Sequence, residues 1–299
     1  MLAATVSQGV PLLWVGLGEL VSERAGVLNI SIEGMMLMGA FGGVIGALYS
    51  GSVTVGLLAG VGCGLVIAVI QGVVALHYQA DQVVSGIMLN IFALGLSTFL
   101  SQIFLAARGG EVVVGLPDLP LPWLSGIPVL GPVLFNHNIL TYAGLLMVAV
   151  IGYVLFRTRT GLLFRAAGED PHTAFSLGYS IRLIRWKALL FTGAMAGLGG
   201  SHLSLGELGF FTENLTAGRG FIALAAVIFG RWTPVGCLLA VMLFGFADAW
   251  QIRVQALGTL RIPPQFLAML PYVVTMLTLA LFIRRMQPPK ALGQPFTEE

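Results

Sequence analysis

The sequence predicts an all-α polytopic membrane protein of about nine transmembrane helices, one of them short or broken, forming a single transmembrane domain over 1–299. Three observations carry this. First, 57% of the residues are hydrophobic and 9% charged, with a mean hydropathy of +0.92; too few polar groups remain to coat a soluble domain of this size. Second, apolar runs of bilayer-spanning length recur along the whole chain. Third, the basic residues fall unevenly between the two ends of those runs. The bilayer is therefore the first expected partner, and no nucleic-acid partner is expected. Cys63 and Cys237 both lie in apolar runs and form no metal or disulfide pattern.

The predicted spans are 5–21, 32–49, 53–76, 83–106, 138–157, 187–205, 220–231, 234–250 and 266–284. The seventh is too short to cross comfortably, so a broken helix is expected there. Repeated glycines at Gly42/Gly46, Gly56/Gly60/Gly64 and Gly193/Gly197 predict close helix packing. Two loops interrupt the pattern. The 107–137 loop has five prolines from Pro117 to Pro132, which forbid a regular helix; its apolar residues predict a compact outer cap. The 158–186 loop carries charge and a helix start at Asp170-Pro171, an acid cap followed by proline at the first helical position. Gly178 is the expected stop, and Ala174 and Gly178 are small enough for close approach by a partner.

If the 158–186 loop is cytoplasmic, that side collects Arg24, Arg157, Arg159, Arg165, Arg182, Arg185, Lys187, Arg231, Arg284, Arg285 and Lys290. The other side holds Arg108, Arg219, Arg253 and Arg261. This asymmetry predicts the N-terminus outside and the C-terminus in the cytoplasm. Leu17-Gly18-Glu19-Leu20 recurs as Leu205-Gly206-Glu207-Leu208, and the topology puts the copies on opposite sides. A possible inverted repeat follows.

No catalytic constellation is present: no zinc helix, no nucleophile elbow and no phosphate-binding Gly-Lys motif. The chain is expected to be a non-enzyme without a metal or cofactor of its own. His77, His137, His172 and His202 are scattered and read as loop or packing residues. Ionisable and amide groups near membrane depth are the functional candidates: Asn29, Glu33, Asn90, Glu207, Phe211, Glu213, Asn214 and Thr216, with Asp248 and Glu19 nearby. Within 207–220, Glu213 and Arg219 are expected to neutralise each other, and Asn214 and Thr216 to face a polar pathway. Caps and ion pairs serving a broken helix explain the same residues.

Four stretches carry a family resemblance: SERAGVLNISIEGMMLMGAF, ADQVVSGIMLNIFALGLSTFL, GLLFRAAGEDPHTAFSLGYSI and SLGELGFFTENLTAGRGFIALAAVIFGRWTPVG. Over nearly its whole length the chain resembles permease subunits of bacterial ATP-binding-cassette importers of the ribose and simple-sugar class, in the nucleoside-importing branch. The resemblance implies a pathway for nucleosides (purine nucleosides first) or related sugars in the bacterial inner membrane. It implies a second, different permease chain, an ABC ATPase that binds the ATP and Mg, and an extracytoplasmic substrate-binding lipoprotein. The family's coupling helix falls on Gly168, Glu169, Asp170, Pro171, Thr173, Ala174 and Gly178. Many relatives carry Asn at the place of Asp170 and Ala at that of Thr173. A self-sufficient secondary transporter is the alternative from another class; it has no need of a solvent-side docking helix.

Overall fold

The computed structural model describes residues 1–105, 115–120, 135–257 and 287–297, with the isolated positions 269, 273 and 276. Ten of the described elements are α-helices, and a small hairpin pairs β1 (Asp118–Pro120) antiparallel with β2 (Asn136–Asn138). The helices are α1 (Leu2–Arg24), α2 (Ile32–Ser50), α3 (Val53–Gly72, extended by a π turn to His77) and α4 (Gln82–Phe104). After the hairpin come α5 (Ile139–Arg157), α6 (Arg159–Glu169) and the six-residue α7 (Pro171–Ser176). The set closes with α8 (Ile181–Ser201, extended by a π segment to Leu208), α9 (Arg219–Phe229) and α10 (Pro234–Leu257).

Seven of the described helices are long and apolar enough to cross a bilayer, and α9, at 11 residues, is the short one the sequence predicts. Eight of the nine predicted spans are thus present; the ninth, 266–284, lies outside the described residues. So does most of the 107–137 loop. Two boundaries differ from expectation. Helix α8 begins at Ile181, because Ser180 caps it by accepting the Leu183 N–H (3.3 Å), so Arg182, Arg185 and Lys187 ride on its first turns. And 159–169 is helical: Thr158 accepts the Gly161 N–H (3.2 Å) and starts α6.

The spans sort into a centre and a shell. In α1, α2 and α8, 83, 78 and 78% of the apolar window is buried, against 28, 22 and 33% in α3, α4 and α5. Lipid solvates side chains such as Met88, Ile91 and Phe92 on α4, which are exposed; apolar burial therefore gives little drive to associate, and close packing takes over. The predicted glycine stripes supply it. Helices α2, α3 and α8 converge on Gly197: a Cβ placed at Gly39 would stand 2.5 Å from the Gly197 Cα, and one at Gly197 would stand 2.5 Å from the Gly60 carbonyl oxygen. Ser201 donates to the Gly39 carbonyl (3.1 Å) and Ser204 to that of Ala40 (2.9 Å), tying α8 to α2.

Backbone atoms cannot retreat from an added side chain at Gly197, so Gly197→Leu should cost about 3 kcal/mol. The expected outcome is a lowered melting temperature and loss of the monodisperse species in detergent. Gly62 lies on the same helix as Gly60 with nothing within 4 Å of its Cβ position, and Gly62→Leu should melt with the parental chain. Equal behaviour of the two variants would refute the close approach.

Candidate translocation centre and coupling loop

Two irregular turns break the helical array, and the polar residues singled out in the sequence gather on them. The first runs from Ala25 to Ser31 between α1 and α2. Its backbone cannot pair with itself, and in apolar surroundings it cannot turn to water. Side chains satisfy it instead. Glu19 accepts from the Asn29 backbone N–H and from Asn29 Nδ2, each at 3.2 Å, and Ser31 donates to Asn29 Oδ1 (2.7 Å). Asn90 of α4 clamps the turn from the far side: its Nδ2 donates to the Ile30 carbonyl (2.9 Å) and its Oδ1 accepts the Gly34 N–H (2.8 Å). Gln82 accepts the Leu28 N–H (2.8 Å) and is itself met by Gln71.

The second turn, Gly209–Gly218, joins α8 to α9. Gly209, Asn214, Ala217 and Gly218 all have positive φ, between +42° and +85°, so the chain folds back on itself before α9 begins. Glu33, on the first turn of α2, reaches across to close it. Its Oε1 accepts from the Thr216 hydroxyl (2.5 Å) and the Gly218 N–H (2.8 Å), and its Oε2 accepts the Gly220 N–H (2.6 Å). A buried carboxylate thus caps the N-terminus of the short helix, where free N–H groups and the helix dipole both favour a negative charge. At the other end of α9, Trp232 donates its indole N–H to Glu23, and Arg24 Nε donates to the Trp232 carbonyl (2.9 Å). Helix α9 is therefore latched to the α1–α2 unit at both ends.

The structure separates the predicted pathway residues. Asn29, Glu33, Asn90 and Thr216 are engaged in holding the two turns. Phe211 is buried edge-on against Phe41, with ring centroids 5.4 Å apart. Glu207 is mostly buried, 3.8 Å from His202 Nε2. Glu213 and Asn214 are exposed. The expected Glu213–Arg219 pair is not formed. Glu213 accepts from Gln102 of α4 (3.3 Å), while Arg219 donates to Gln8 (3.2 Å) and stands 3.8 Å from Asp248. The left-handed residues between them turn the backbone and send the two side chains to different helices. Sequence reasoning missed Glu23, Trp232, Gln71 and Gln82 as latch residues; a Gly-Arg-Trp-Thr-Pro run after a short apolar helix was the one available signal.

On the loop side, Asp170 caps α7. It accepts from the Thr173 hydroxyl (2.6 Å) and the Thr173 N–H (3.1 Å), and these bonds hold its carboxyl below the usual carboxylate range. The cap is at full strength above that usual range and fades only as pH falls through the lowered value. Gly178, with φ +87°, ends the knob. Ala174 corrects an expectation: it is 3% exposed and packs inward with Ala167 and Ile181, so it lies at the wall of a depression and is not an outward knob. Pro171 is buried too, and Gly168 is covered. His172, Thr173, Leu177 and Tyr179 are the outward groups. Beside them an apolar depression of about 570 Å³ is floored by Leu162, Leu163 and Ala166. The C-terminal segment braces the knob from behind: Phe296 lies edge-on to His172 and Phe175, Arg185 donates to the Gln294 carbonyl (2.7 Å), and Ala291 N–H bonds the Gly168 carbonyl (2.9 Å).

Removing the Glu33 carboxylate leaves three donors without acceptors, so Glu33→Ala should destabilise the protein by about 3 kcal/mol or more. Glu33→Gln keeps one acceptor oxygen but turns an amide N–H toward a donor, and should lose roughly half as much. Thermal melting in detergent checks both; a parental midpoint for Glu33→Ala would refute the cap.

A family profile described as "Branched-chain amino acid transport system / permease component" matches residues 1–282. The chain is 38% identical to the nucleoside ABC transporter permease protein NupC of Lactococcus lactis, over 95% of this chain and 92% of that one. It is 36% identical to the guanosine ABC transporter permease protein NupQ of Bacillus subtilis, over 98% and 95%. It is 34% identical to TsgC13 of Haloferax volcanii, provisionally named a glucose ABC transporter permease protein, over 100% and 98%. A solved inward-facing ABC transporter, provisionally typed as metal-chelate, superposes with a TM-score of 0.52 at 16% identity, over 95% of this chain and 85% of that one; this likeness concerns the fold alone. On the near-complete family match, the chain belongs to the permease components of the branched-chain amino acid transport system family.

Proposed function

We propose that this chain is one permease subunit of an ABC importer that carries nucleosides across the bacterial inner membrane. The observation that carries the reading is the near full-length similarity to NupC and NupQ, proteins of two organisms named for nucleoside and guanosine transport. Related simple sugars remain the neighbouring cargo, as the TsgC13 similarity illustrates. ABC relatives weigh against a self-sufficient secondary transporter. In this reading the chain supplies pathway and fold, and a separate ATPase subunit binds ATP and Mg and hydrolyses the nucleotide. A second, different permease chain completes the pathway, and an extracytoplasmic lipoprotein delivers the cargo. The N-terminus lies outside and the C-terminus in the cytoplasm, which the bias of basic residues supports.

The geometry sharpens two roles. Glu33, Asn29, Asn90 and Thr216 are saturated with internal bonds, so they act by holding the turns. Asn214 and Glu213, which are exposed on the second turn, are the better candidates for contact with a passing solute. A nucleoside is neutral and rich in hydrogen-bonding groups, which suits an amide such as Asn214. On the cytoplasmic side, α7 is the coupling element, with Asp170 as its cap. His172, Thr173, Leu177 and Tyr179 form its face toward the ATPase, and the depression beside them receives a side chain of that partner.

Cells expressing the complete transporter should take up radiolabelled guanosine or adenosine, with competition by other nucleosides and not by branched-chain amino acids. Uptake competed by free glucose and indifferent to nucleosides would overturn the cargo assignment. Asn214→Ala should lower uptake several-fold at parental expression.

Leu177 is 72% exposed. Leu177→Arg should therefore leave the chain folded and uncouple ATP hydrolysis from uptake, whereas Ala174→Arg should disrupt the loop itself. Parental cargo-stimulated ATPase activity and uptake in Leu177→Arg would sink the docking role.

A further inference from the structure

A second polar feature of the cytoplasmic face adjoins the roles above and shares Arg24, which holds the Trp232 carbonyl, and Glu169, of the coupling stretch, with them. Where α1 ends, a cleft of about 630 Å³ opens between the α9–α10 turn, the end of α6 and the C-terminal segment. It is lined by Arg24, Glu169, Arg231, Gln287, Pro288 and Lys290. Three of these six are cations and one is an acid. Arg165 stands beside them: its guanidinium lies 5.2 Å from the centre of the Phe156 ring, and that of Arg24 lies 5.6 Å from the same ring. Two guanidinium groups thus share one aromatic ring. Arg165 Nε is buried and has no hydrogen-bond partner. Among the described residues, none of Arg24, Arg165, Arg231 and Lys290 forms an ion pair. In the sequence, the 29 residues that precede Gln287 contain no Asp or Glu.

We propose that this cleft binds the phosphate headgroup of an anionic phospholipid of the cytoplasmic leaflet. Four like charges held together against one carboxylate repel one another, and a bound anion relieves that repulsion. The position points to a lipid as its source. Arg24 is the last residue of α1, and Phe156 and Arg157 are the last of α5, so the cleft lies at the level where spanning helices leave the bilayer. Tyr153, Val154 and Phe156 are exposed on the adjoining face of α5 and offer apolar surface for an acyl chain below the headgroup. Basic pockets at helix ends on the cytoplasmic side recognise headgroups in this way. Arg24 is fixed for the task by its bond to the Trp232 carbonyl, while Arg231 and Lys290 are exposed and free to close on the phosphate.

The inference rests on the proposed topology, which a separate measurement reports: a cysteine at Gln287, beside the cleft, should react with an impermeant maleimide only after permeabilisation. For the site itself, the full transporter is purified in mild detergent from membranes holding phosphatidylglycerol and phosphatidylcholine, and retained lipid is quantified by mass spectrometry. Phosphatidylglycerol should be retained selectively. Each surface cation contributes about a fivefold change in binding, so Arg231→Ala with Lys290→Ala should weaken retention roughly 25-fold. Glu169→Gln, which removes the acid, should strengthen it, a gain that mere unfolding cannot produce. Three results would overturn the proposal: equal retention of the two lipids, unchanged retention in the double variant, or a thermal shift by inorganic phosphate alone that matches the one given by phosphatidylglycerol. Loss of the ATPase from the double variant with phosphatidylglycerol retained would assign the cleft to the protein partner instead, and would overturn it as well.

Discussion

The Glu33 carboxylate is the constraint on which the rest of the array depends. A half-length helix inside a membrane protein starts with free N–H groups at a depth where water is scarce. Here three donors from the α8–α9 turn and α9 converge on one acid of α2, at 2.5 to 2.8 Å. The same acid begins α2, whose own first turn is clamped by Asn90. One side chain therefore sets the start of two helices that are 187 residues apart in sequence at the Glu33–Gly220 bond. Because Gly220 sits against the Glu33 backbone, with a Cβ position only 2.7 Å from the Glu33 Cα, the acid has no room to swing away and no longer residue fits at 220.

This arrangement explains why polar residues are concentrated where they are. A straight span satisfies its own backbone; a broken one hands the debt to side chains. Asn29, Asn90, Gln82, Thr216 and Glu33 each bond to main-chain groups of an irregular turn or to the side chain that does. Polarity at membrane depth is thus first a requirement of the broken backbone. On the second turn the polar groups left exposed after that requirement is met are Thr212, Glu213 and Asn214.

Much of the architecture was legible in the sequence. Apolar runs of spanning length mark seven described helices, since a bilayer demands them whatever the packing. The Asp170-Pro171 start and the Gly178 stop follow from local backbone rules that tertiary context does not override. The short seventh run revealed the broken helix by its length alone. Partners were not legible. Whether Glu213 meets Arg219 or Gln102 depends on the left-handed residues Asn214 and Ala217, and neither residue type requires that conformation. Likewise Ala174 is as small as a docking residue should be, yet smallness equally suits the inward packing it adopts. Helix α6 was hidden because its Gly161 and its charges resemble a loop, while the Thr158 cap that starts it is a single residue.

The face that carries α6, α7 and the C-terminal segment shows how few independent parts the molecule has. The knob α7 is braced by Phe296. Two residues earlier, Gln294 is held by Arg185 at the start of α8. One residue further back, the Gly293 N–H bonds the Gly26 carbonyl in the α1–α2 turn (3.1 Å). That turn leads within seven residues to Glu33, and through Glu33 to α9. Contiguity of this kind does not by itself demonstrate coupling. It does limit the motions available: α7 cannot shift relative to the α1–α2 turn without breaking main-chain bonds to Gly26 or Gly168, and α9 cannot shift relative to α2 without exposing a buried carboxylate. A displacement at the knob is therefore shared with the helices that frame the second turn, or it is paid for in broken hydrogen bonds. Rigid-body movement of the central helices, more than local bending of the loop, is the response this connectivity favours.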